Sequence, residues 1–153
     1  MQLPRRLGQE YWMLKNAYGQ VEIGYSTNST GRGYYWLLIT RFPFPAGWSR
    51  SHSAVLVHVE PDYPHTPPDV YVKWQLIEEN IWFRHLLENH GPLEVLDSNW
   101  VWVCRHKWEE HWRPHSTDPA RGDNLVTFLQ SMYRGLEKRM GASSAMLTSR
   151  RYR

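Results

Sequence analysis

The chain of 153 residues contains one cysteine, Cys104. That excludes an internal disulfide framework and fits a reducing compartment, so a cytoplasmic protein is expected. No apolar run reaches the roughly 18 residues that a membrane helix needs. Met1-Gln2-Leu3-Pro4-Arg5-Arg6 holds no apolar stretch long enough for a secretory signal. Internal repeats and domain linkers are lacking too, which excludes a solenoid or a chain of modules. The charge imbalance is small, +3 with a pI near 9.1. Much of the excess sits in Arg150-Arg151-Tyr152-Arg153, which reads as a solvated basic tail, and no nucleic-acid partner is expected.

What is present suits one globular domain, with 41% hydrophobic and 22% charged residues. The nine tryptophans, spread from Trp12 to Trp112, read as core and site walls rather than as a platform for stacking bases.

Leu3, Leu7, Tyr11 and Leu14 recur at helical spacing, with Pro4 suited to the first turn and Ala17-Tyr18-Gly19 to the end. Arg5, Arg6 and Lys15 fall among the polar positions and read as a solvated helix face. Val21, Ile23 and Tyr25 alternate with polar or small residues, the pattern of a half-buried strand. Strands are also expected over Tyr34–Phe42, Ala54–Val59 and Val70–Val72. Between the last two lies Pro61-Asp-Tyr-Pro-His-Thr-Pro-Pro68, whose four prolines remove four backbone donors and stop any sheet. A helix is expected from Ile77 to His90, stopped by Gly91-Pro92. Asp123 or Asn124 can cap a last helix with the apolar stripe Leu125, Phe128, Leu129, Met132, Tyr133, Leu136 and Met140. The order is helix, antiparallel strands, helices: α+β.

Cys104 ends a short expected strand, in which Trp100, Trp102 and Cys104 share one face and Val101 and Val103 the other. Arg105, His106 and Lys107 follow it and would lower its pKa, opposed by Glu109 and Glu110. The same stretch admits a metal reading, because Cys104, His106, His111 and His115 have the chemistry of zinc ligands.

In its spacings the chain resembles the ubiquitin-conjugating enzymes. Trp36, Pro43 and Trp48, then Tyr63-Pro64-His65-Thr66-Pro67-Pro68, are similar to that family's Trp, Gly-Pro, loop aromatic and Tyr-Pro-x-x-Pro-Pro. Downstream, Trp112 and Pro114 stand after Cys104 at the family's distance from active-site cysteine to Trp-Ser-Pro, with Arg113 in place of Ser. The resemblance implies a conjugating domain over residues 1–140 and a flexible basic tail over 141–153. It implies an N-terminal helix, a four-stranded antiparallel meander, an active-site strand and loop, and C-terminal helices. Residues 73–97 are not covered and read as a divergent insertion. The helper motif His-Pro-Asn is missing, with Glu94, Val95 and Leu96 at its place.

These departures resemble the bacterial members of the family found in antiphage operons of the cyclic-oligonucleotide (CBASS) type, or beside ubiquitin-like modifiers. The resemblance then implies a cysteine acyltransferase without a cofactor. Cys104 is the expected nucleophile, and His106 the first choice for the donor or base that replaces the lost Asn. Asn99, Trp112, Pro114 and Tyr63 are expected to support the site. The implied partner donates a C-terminal acyl group and is either a cGAS-like nucleotidyltransferase or a ubiquitin-like modifier, with an activating enzyme upstream. An inactive binding module of the same fold is the alternative reading, and a zinc domain a further one.

Overall fold

The computed structural model describes residues 2–73, 100–103 and 111–137. The expected helix over 77–90, the insertion 73–97 beyond its first residue and the tail 141–153 lie outside them. Helix α1 (Arg5–Tyr18) starts one residue after Pro4, whose carbonyl accepts the Gly8 N–H at 3.0 Å. Pro4 has no N–H to leave unsatisfied there. Gly19, with φ 84°, closes the helix by donating to Lys15 O, a left-handed cap that a side chain would strain. The buried face of α1 is Leu7, Glu10 and Leu14.

Strands β1 (Val21–Thr27), β2 (Gly33–Pro43), β3 (His52–Val59) and β4 (Asp69–Lys73) follow in antiparallel order. The expected four-stranded meander is longer by one member. The short strand β5 (Trp100–Val103) pairs with β4, Val70 opposite Val103 and Lys73 opposite Trp100, and completes a five-stranded sheet in chain order. A 3-10 turn (Pro119–Arg121) precedes helix α2 over residues 125–137.

The two faces of the sheet differ, as alternation requires. Leu37, Ile39, Val55, Val57, Val59, Val70 and Val72 join Leu7 and Leu14 of α1 and Leu125, Phe128, Leu129 and Met132 of α2 in the main core. Burying a side chain of this size contributes about 1.5–3 kcal/mol. The other face carries a smaller cluster, Leu56, Tyr71 and Trp100, with Trp36, Leu38, Ala54 and Trp102 packed against it. Trp36 therefore belongs to the outer cluster. Its indole crosses Gly24, where an added Cβ would lie 2.1 Å from the ring, and donates to Ser26 Oγ at 3.2 Å.

Asn124 is the cap of α2. Its Oδ1 accepts the Thr127 N–H at 2.9 Å while Thr127 Oγ1 accepts the Asn124 N–H at 2.9 Å. This reciprocal pair satisfies donors that a helix start otherwise leaves open.

Candidate active site

One end of the sheet collects the features that single out a site. There β3 runs out, the proline loop crosses to β4, and β5 stops at Val103, the residue before Cys104.

The loop is stiff for local reasons. Prolines cannot donate, and the available donors turn inward: Tyr63 N–H to Glu60 O and His65 N–H to Asp62 O, both at 3.0 Å. Thr66 Oγ1 donates to Asp62 Oδ2 at 2.7 Å. The Tyr63-Pro64 peptide is cis. Trp112 closes over this loop, donating from Nε1 to Pro64 O at 2.7 Å, with its ring 6.1 Å from that of Tyr63 and 6.3 Å from that of Phe128. Pro114 lies two residues on, half-buried. The backbone at 113–115 leaves no room for a side chain at Gly122, whose Cβ would meet His115 N at 2.6 Å. Asp123 pins the same segment, its N–H donating to Arg113 O and its Oδ2 accepting the Arg113 N–H.

Beneath the loop is a buried ionic knot. Glu10 is 0% exposed. Its Oε1 accepts the Tyr63 hydroxyl at 2.6 Å and the Leu125 N–H at 2.7 Å, and its Oε2 pairs with Arg6 Nε at 2.9 Å. The Leu125 N–H is the first of α2, so the carboxylate also meets the positive end of that helix. Arg6 continues to the His115 and Asp123 carbonyls and lies 5.8 Å from the centre of the Tyr63 ring. Arg6 is thus not part of the solvated face expected for α1. Burial pushes the Glu10 carboxyl above its ordinary pKa, although Tyr63, Leu125 and Arg6 pull it down. Burial, with the Glu10 charge next, drives the Tyr63 hydroxyl far above the ordinary phenol range. Tyr63 stays a hydrogen-bond donor and ties the loop to α1.

A second polar group sits at this end on the outer face. Asp69, the residue before Val70, accepts the Trp102 Nε1–H at 2.9 Å. His58 lies opposite Asp69 in the register, with Nδ1 3.5 Å from Asp69 Oδ2 and Nε2 4.0 Å from Glu60 Oε1. The imidazole is buried and packs 4.9 Å from the Tyr34 ring.

Of the residues expected at the site, the structure brings Tyr63 and Trp112 together, with Pro114 beside Trp112. Cys104, His106 and Asn99 lie outside the described residues. Of the zinc set, His111 and His115 are described. His111 is exposed, and His115 Nδ1 accepts the Asp118 N–H at 2.9 Å. Among the described residues no group of three or more His, Cys, Asp or Glu side chains is arranged to hold a metal. Sequence reasoning missed Glu10, Arg6, Asp69 and His58. Glu10 carried a signal, since it lies three residues after Leu7 and four before Leu14, a charge on an apolar stripe.

The chain belongs to the prokaryotic E2 family E, whose sequence pattern fits residues 20–139. Membership gives it a conjugating-enzyme-like function, a transferase-type activity exercised with a protein partner. No curated protein and no solved structure matches the chain. No described helix is long and apolar enough to cross a membrane.

Proposed function

We propose that Cys104 is an acyl carrier. Its thiolate attacks the activated C-terminal carbonyl of a partner protein, delivered as a thioester by an activating enzyme, and expels that enzyme's thiolate. An amine then attacks the new thioester. The tetrahedral oxyanion collapses, Cys104 leaves as the thiolate, and the amine loses its proton to a base. His106 is the base or oxyanion donor in this reading, with the Asn99 amide, close in sequence, also available for the second role.

The observation that carries the reading is the end of β5. Val103 is held in the sheet opposite Val70. That sheet end is where Trp112 and Tyr63 brace the proline loop, and in the sequence Cys104 is the next residue after Val103. A reacting group needs such support. The partner is a cGAS-like nucleotidyltransferase or a ubiquitin-like modifier, and the setting is antiphage defence of the CBASS type, both carried over from the bacterial proteins that the sequence resembles.

The test is a gel. With the partner and its activating enzyme, the wild-type protein should form an adduct that thiol reductant removes. Cys104→Ser should give a reductant-resistant ester, and Cys104→Ala no adduct. If wild type and Cys104→Ala behave alike, the protein is a binding module without acyl transfer.

A further inference from the structure

At the other end of the sheet, where β2 turns into β3, the chemistry is of a different kind. A hollow of about 560 Å³ is lined by Thr40, Arg41, Ser49, Arg50, Ser51 and His52. The lining holds two guanidinium groups, an imidazole and three hydroxyls, and no carboxylate. The deficit of acid extends well beyond the hollow. Between Glu22 and Glu60 the chain contains Arg32, Arg41 and Arg50 but no acidic residue. Arg32 reaches Glu60 at 3.5 Å. Arg41 and Arg50 are exposed and make no ion pair among the described residues.

The backbone explains how Arg41 comes to face the hollow. The register of β2 on β3 runs from Ile39 opposite Val55 to Phe42 opposite Ser53, so Thr40 and Arg41 share one place in the ladder. An extra residue of this kind bends the strand and re-aims its side chains. The Thr40 hydroxyl is buried with no hydrogen-bond partner, which is uncommon for a buried polar group. Across the hollow, Ser51 Oγ lies 3.1 Å from His52 Nδ1.

We infer that this hollow binds the phosphate groups of a small phosphorylated molecule. Two guanidinium forks match phosphate oxygens in geometry as well as charge, and the exposed Ser49 and Ser51 hydroxyls can donate to the same oxygens. The hollow is shallow and open to solvent, so the paired guanidinium groups rather than enclosure carry the binding. The lining includes no aromatic ring other than His52, so recognition rests on the phosphates and the site takes diphosphates whatever their organic part. The inference is independent of any chemistry at Cys104.

Titration calorimetry on the full chain at low salt tests it, with pyrophosphate, ADP, adenosine and a polyglutamate peptide as probes. Pyrophosphate and ADP should bind saturably with similar affinity, and adenosine should not bind. Arg41→Gln and Arg50→Gln should each weaken pyrophosphate binding about tenfold or more. The corresponding lysine substitutions should lose less, since they keep the charge without the fork. Arg32→Gln, which removes the same charge at the opposite end of the sheet, should bind as wild type does. The inference is overturned if neither phosphate probe binds saturably, if Arg32→Gln weakens binding as much as Arg41→Gln, or if only polyglutamate binds, which would make the patch a surface for acidic protein.

Discussion

The two ends of the sheet treat charge in opposite ways. At the end where β5 stops, charges are paired or capped within the protein: Glu10 with Arg6, Tyr63 and Leu125, Asp69 with Trp102, Asp123 with the Arg113 backbone. At the β2–β3 end Arg41 and Arg50 are exposed and without counter-charge among the described residues. A buried, fully partnered charge is costly to break and therefore holds geometry. An exposed, unpartnered one costs little and is available to a ligand. The first end is built to position, the second to receive.

The comparison breaks most severely at Glu10. Glu10→Ala leaves the Arg6 Nε–H, the Tyr63 hydroxyl and the Leu125 N–H without their acceptor, and should cost about 3–5 kcal/mol in urea unfolding. A loss below about 1 kcal/mol would mean that the knot does not hold this end together. The pH dependence has a definite sign. Burial raises the Glu10 pKa, so the folded protein holds this proton where the unfolded chain has released it. The stability from that proton is full below the ordinary carboxylate pKa and is lost as pH rises through the raised value. Stability relative to Glu10→Gln should therefore fall as pH rises above the ordinary carboxylate pKa, and parallel pH profiles for the two proteins would contradict the assignment.

Trp112 tests the same end at the next level. Trp112→Phe keeps a ring against Tyr63 and Phe128 but leaves the Pro64 carbonyl without its donor, a loss of about 1–3 kcal/mol by urea unfolding. The yield of reductant-sensitive adduct should fall further than this stability loss explains, because the loop it closes no longer has a fixed position. An adduct yield equal to wild type would reduce Trp112 to a packing residue. Asp69→Ala removes the acceptor of Trp102 and should cost about 0.5–1.5 kcal/mol, with the loss sensed at β5 by faster hydrogen exchange of its amides.

How much of this was readable before folding depends on the range of the interaction. The α1 and α2 stripes, the Asn124 cap and the strand alternation are local patterns, and Leu7, Leu14, Leu125, Phe128 and Leu129 are buried as their spacing implies. The proline loop was readable because proline acts on its own backbone. The knot was not, because Glu10 finds Tyr63 and Leu125 across long stretches of chain, and only the tertiary fold turns a charge on an apolar stripe into a satisfied one. The pairing of β5 with β4 and the His58–Asp69 contact depend on register, which no single segment encodes. The β2 bulge is likewise invisible in a strand pattern that continues through Thr40 and Arg41. Cys104 was named from its spacing to Trp112 and Pro114, and His106 and Asn99 from their nearness to it in sequence, so their roles rest on the resemblance.

The smallest expected effect on stability belongs to the receiving end. The Arg41→Gln/Arg50→Gln double variant removes two exposed side chains that contribute no ion pair among the described residues, so urea unfolding should change by no more than about 0.5 kcal/mol. Removing two unpaired like charges relieves repulsion as well, which pushes any small change toward stability. The informative quantity is the difference between the ends. The same variant should unfold as wild type does while losing pyrophosphate binding, whereas Glu10→Ala should lose stability at once. If the double variant is destabilised by about 2 kcal/mol or more, those arginines hold the β2–β3 turn in place, and the contrast between a positioning end and a receiving end does not stand.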